Sequence, residues 1–100
     1  MNDLDIDPIK QELLCETSKI AWKELQVFFA GGTAVYISEE LNLIEVASCF
    51  VEDNKAMVSK WMNHNQVMPV SDNQARNWYN HDAMVWAIVV KPWVLVQPLK

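Results

Sequence analysis

The chemistry open to this chain of 100 residues rests on few side chains, and the first candidate is His81 beside Asp82, preceded by Tyr79 and Asn80. A histidine oriented by a carboxylate can act as a general base, and loops at the ends of elements often carry such groups. The competing reading is structural. His81 would close a helix C-terminus, where the dipole favours a cation, and Asp82 would open a turn. No nucleophile or oxyanion loop is recognisable beside them, so the structural reading is favoured and the pair stands only as the catalytic candidate.

Metal chemistry has weaker support. Cys15, Cys49, His64 and His81 are scattered, with no C-x-x-C or H-x-x-x-H pair. Structural zinc sites usually take ligands in closely spaced pairs, because two neighbours pre-form half the tetrahedron. Glu39, Glu40, Glu45, Glu52 and Asp53 follow one another closely, and Glu45 and Glu52 are spaced to share a helix face. Paired acids can hold a metal or share a proton, yet most are solvated and favour helix starts. No metal and no cofactor are expected. Gly31-Gly32 lies after a helical pattern and before a strand, the reverse of the order that aims amides at phosphate; it reads as a helix C-cap, and a nucleotide loop is rejected.

The tryptophans are the remaining candidates, five in all: Trp22, Trp61, Trp78, Trp86 and Trp93. Helical spacing puts Trp61 and Trp78 inward. Trp86 and Trp93 lie instead in an apolar run from Met84 to Val96 that only Lys91 and Pro92 interrupt. An exposed strand tryptophan would mark a partner or ligand surface, so Trp86, Lys91, Pro92 and Trp93 are the interface or ligand candidates.

That run sets the fold class. A membrane-spanning helix needs ~20 apolar residues without an interior Pro, so no membrane role is expected. Its β-branched and aromatic residues predict strand covered on both faces. Lys91-Pro92 makes a poor two-residue hairpin turn, since the favoured types need positive φ where Lys is strained and Pro cannot go, and a kink, bulge or sheet edge is expected there. Laid out straight the run would span ~43 Å, too long for a compact domain of this size. It must bend or reach a second subunit.

The preceding elements are mostly helical. Asp7 and Pro8 predict a helix start, with Ile9, Leu13 and Leu14 as its apolar stripe. The stripe drifts beyond Thr17-Ser18, which predicts a break before Ala21, Leu25, Phe28 and Phe29. Thr33 to Ile37 predicts a strand. Leu43, Ala47, Phe50 and Val51 predict a second helical region, and Asp53 a cap for a third carrying Met57, Val58, Trp61 and Met62. Gln66 to Val70 predicts a short peripheral strand. Ser71 and Gln74 form a capping box for a helix ending near Asn80-His81.

With 51% hydrophobic residues, 21% charged and no internal repeat, the chain reads as a single domain. Asp3, Asp5, Asp7, Glu12 and Glu16 face only Lys10, and residues 1–7 read as a flexible acidic extension. A net charge of −5 with dispersed Lys and Arg disfavours nucleic acid, whose affinity comes from clustered cations. Met1 to Lys10 shows no secretory pattern, so a cytoplasmic setting is expected, with Cys15 and Cys49 as buried or half-buried thiols.

Trp22 to Phe29, Leu43 to Ala47, Val70 to Ala75 with Trp78, and Ala87 to Gln97 together resemble a family of small bacterial proteins classed as a domain of unknown function. The resemblance covers residues 13–97, and its most distinctive phrase is Pro92-Trp93-Val94-Leu95-Val96-Gln97. It implies a small cytoplasmic bacterial protein and brings no catalytic residues with it.

The expectation is therefore an α+β domain with a small sheet of three to four strands, helices packed on it and a long apolar C-terminal strand region. The leading function is a non-enzymatic interaction module, a homodimer joined through that strand. The alternatives are a small enzyme or metal-dependent protein using His81, Asp82 and nearby acids, or a ligand-binding domain with a tryptophan-lined pocket.

Overall fold

The computed structural model describes residues 8–99. The proposed cap Asp7 and the acidic extension 1–7 lie outside the described residues. Helix α1 (Pro8–Glu16) starts at the proline and leads to strand β1 (Ser18–Ala21), a 3-10 turn (Trp22–Leu25) and helix α2 (Gln26–Ala30). Then come β2 (Ala34–Ile37), α3 (Leu43–Val51), α4 (Lys55–Asn63), β3 (Val67–Pro69), α5 (Asp72–Asn80), β4 (Met84–Val90) and β5 (Trp93–Pro98). The strands form one mixed sheet in the order β1-β4-β5-β2-β3, antiparallel throughout except for the parallel pair β2 and β5.

Five strands replace the three or four expected. The additional one is β1, where the drifting stripe suggested only a helix break. The Thr17 hydroxyl donates to the Leu13 carbonyl at 2.8 Å, which competes with the helix ladder where α1 ends. Ser18 to Ala21 then pair with Ala87 to Met84. Leu14 is exposed and Leu13 buried, so the stripe of α1 is narrower than predicted.

The C-terminal run is a hairpin rather than one long strand. Val90 pairs directly with Trp93, leaving Lys91 and Pro92 as a two-residue turn with a cis peptide bond between them. Turns with a cis proline at the third position form a class apart from the positive-φ hairpin turns, so the objection drawn from positive φ does not apply. The run bends, and its length no longer calls for a second subunit.

Alternation along β4 and β5 sends Ile88 and Leu95 to one face and Val85, Ala87, Val94 and Val96 to the other. Helices α1, α3 and α4 cover the first face through Leu13, Leu43, Val46, Ala47 and Trp61. The 3-10 turn, α2 and α5 cover the second through Trp22, Leu25, Phe29, Ala75 and Trp78. The sheet is thus the middle of three layers, and both edge strands are short, which limits unwanted edge pairing.

Local signals explain most boundaries. Gly32 takes φ +77 after α2, a conformation that costs other residues strain. The Asn42 side chain accepts from the Glu45 amide and caps α3. The cap of α4 is Asn54, which accepts from the Met57 amide, rather than Asp53; Asp53 has φ 56 in the turn before it. Ser71 and Gln74 make the predicted capping box. The amide of Gln97 donates to the Ser38 and Leu41 carbonyls at 2.9 and 2.8 Å and ties the loop before α3 to β5.

Candidate functional site

The β4–β5 turn overhangs a cleft of about 450 Å³. Its sheet side comes from Val35 on β2, Val67 and Met68 on β3, and Val90 and Trp93 beside the turn. Its helical side comes from Cys49 and Phe50 on α3 and from Val58 and Met62 on α4. The polar groups are Asp53, Asn54, Lys55, Ser59 and Lys91. The walls are apolar because they continue the core between sheet and helices, to which Val35, Cys49 and Val67 belong. The core is incompletely closed here. Trp93 and Met62 remain 39% and 50% exposed, so substantial apolar surface faces solvent.

The electrostatics of the cleft are simple. Lys55 Nζ lies 3.9 Å from Asp53 Oδ2. Lys91 makes no ion pair among the described residues. Burial pushes the Cys49 thiol pKa up, and the charges of Glu45 and Glu52 add to the shift. Such a thiol is a poor nucleophile at neutral pH. Cys15, expected to be at least half-buried, is exposed on α1.

The interface and ligand candidates divide. Lys91 and Trp93 both line the cleft, and Pro92 completes the turn between them. Trp86 faces the same side of the sheet but sits opposite Gln97, toward the other end of the hairpin, and is 39% exposed. Sequence patterning did not mark Phe50, Val58 or Met62 as cleft residues. Their helical spacing is the same for a core and for an open groove, and only the missing cover distinguishes the two.

His81 and Asp82 adjoin in sequence but have separate partners. Nδ1 of His81 bonds to the Asn77 carbonyl at 2.7 Å, within its own helix end. Asp82 forms an ion pair with Lys23, whose ammonium lies 4.9 Å from the centre of the Tyr79 ring. The hydrogen bond from Lys23 holds the Asp82 carboxyl below its ordinary range, and the same bond raises Lys23. No group of three or more His, Cys, Asp or Glu able to hold a metal occurs among the described residues. Nor is any described helix long and apolar enough to cross a membrane.

A mixed five-stranded sheet clad by helices on both faces, open at one corner under a Lys-Pro turn, defines a small α+β protein with a surface cleft. Residues 8–98 match the family described as "Protein of unknown function (DUF2288)", and the chain belongs to it. It is similar to PA1075 from Pseudomonas aeruginosa, solved in solution by NMR, at 32% identity and a TM-score of 0.82. That likeness covers 100% of this chain and 93% of the other. No curated protein matches the chain.

Proposed function

We propose that the protein is a non-enzymatic binding module whose working surface is the cleft beneath the β4–β5 turn, taking a small, largely apolar ligand. The observation that carries this reading is the cleft itself. Small-molecule sites are concave, mostly apolar, roughly 300–1,000 Å³ in volume and edged by a few polar groups, and the volume of about 450 Å³ with its lining fits that description. An enzyme built on His81 and Asp82 has less support, since each side chain is engaged elsewhere. A cytoplasmic setting fits two unbridged cysteines. Nucleic acid is not among the proposed partners, the basic residues being dispersed in an acidic chain.

A screen of apolar metabolites followed through tryptophan indole N–H signals in NMR tests the reading. Ligands should move the Trp93 signal and leave that of fully buried Trp22 in place. A screen without binders, or with shifts confined to Trp86 and Trp78, would count against it.

Homodimerisation through the hairpin is the second reading, and one observation favours it. β1 pairs with β4 only over Met84 to Ala87, whereas β4 continues to Val90. Val89, 49% exposed, lies in the remaining segment. Pairing of two such edges would place the hairpins side by side. Sedimentation velocity in the micromolar range tests it: a dimer that Val89→Lys dissociates would support this reading, and a monomer would remove it.

A further inference from the structure

We infer that the cleft selects a small amphipathic monoanion, an aliphatic or aryl-alkyl carboxylate whose apolar body lies against Val58, Met62 and Trp93 and whose charge meets Lys91. This rests on the cleft being a ligand site and adds the chemistry of the ligand.

Three charged side chains line the cleft: Asp53, Lys55 and Lys91. Asp53 and Lys55 lie 3.9 Å apart and offset one another. Lys91 has no acid partner among the described residues, so the charged side chains that line the cleft leave one positive charge over at the turn, while Glu45 and Glu52 act on the opposite wall at Cys49. No acid follows Asp82 in the sequence, so the strands that bring Lys91 to the site bring no competing carboxylate. Lys91 is exposed at the mouth of the cleft, so its attraction for an anion is modest and screened by salt, and the same charge disfavours a cation. The lining contains no Arg and one unpaired Lys. Phosphate groups are best held by several charge-assisted donors or by a bidentate guanidinium, so a single carboxylate fits the site better.

Calorimetric titration of the full chain at low salt with octanoate, 1-octanol and octylammonium tests the inference. Octanoate should bind about fivefold more tightly than octanol, with octylammonium weakest. Lys91→Gln should bring octanoate to the level of octanol and leave octanol unchanged, whereas Lys60→Gln should change neither. Met62→Lys, which puts a charge in the apolar wall, should weaken octanol. Equal affinity for octanoate and octanol, with octanol still sensitive to Met62→Lys, would overturn the anion preference and leave the cleft reading standing. Preference for octanoate that survives Lys91→Gln would overturn the role of Lys91. Absence of binding by all three probes would overturn both readings.

Discussion

Val90 and Trp93 stand opposite one another on adjacent strands, joined by Lys91 and Pro92, and both line the same cleft. Trp93 is therefore a wall residue with half its work left open, in contrast to Trp22, which is fully buried. Trp22 meets Trp78 edge to face at 5.0 Å and Phe29 at 5.9 Å. Replacing a buried tryptophan by alanine removes its transfer energy and leaves a cavity. Trp22→Ala should cost about 3–5 kcal/mol, and Trp93→Ala about 1–2 kcal/mol. Urea unfolding of both variants checks the order, and Trp93→Ala alone should abolish ligand response.

Gln97 is the polar member of the closing phrase, and its role is structural. Its amide satisfies the Ser38 and Leu41 carbonyls in the loop that precedes α3. Leucine has a similar volume but no donor. Gln97→Leu should therefore destabilise by about 1–3 kcal/mol by leaving the Leu41 carbonyl without its donor, while the Ser38 carbonyl keeps the Leu41 amide at 3.1 Å, read as a lower urea midpoint with an unchanged slope.

The two thiols should react at different rates. Cys15 is exposed, whereas Cys49 is buried in the cleft wall with its pKa raised. A disulfide reagent at neutral pH should titrate one thiol quickly and the second only slowly. In Cys15→Ala the remaining slow reaction should be slowed further by a cleft ligand. Rapid reaction of both thiols would show that the cleft wall opens freely.

The Lys23 and Asp82 pair gives a pH dependence of known sign. Asp82 has its pKa lowered on folding, so its contribution is present above the ordinary carboxylate pKa and is lost as pH falls through the folded value. Lys23 has its pKa raised, so its contribution is present below the ordinary lysine pKa and is lost as pH rises through the folded value. Both groups are exposed, and the effect is small and screened by salt. The stability difference between the protein and Asp82→Asn should be flat from pH ~5 to ~9, shrink below ~4 and above ~10, and diminish with added salt. Asn is suited to the test because Asp82 has φ 50, a conformation asparagine tolerates.

Elements governed by local chemistry were legible from sequence. Pro8, the Ser71 capping box and Gly31-Gly32 mark boundaries through short-range hydrogen bonding and backbone freedom, and the structure has α1, α5 and the end of α2 there. Elements that exist through pairing were not. Ser18 to Ala21 has little strand character of its own and becomes β1 because β4 offers it an edge. The hairpin turns through Lys91-Pro92, a pair without the Gly or Asn that marks the common two-residue turns. The cleft was half legible. Lys91 and Trp93 stood out as a charge and an indole in an apolar run, while Val58 and Met62 carried the pattern of ordinary core.

The most direct test of the cleft as working surface is an amide-resolved NMR titration of the full chain with 1-octanol. The expected shifts gather at Phe50, Val58, Met62, Met68, Val90 and Trp93, around one concave corner of the sheet. Saturable shifts gathered instead between α2 and α5, around Phe29 and Tyr79, or no saturable shifts at all, would contradict it.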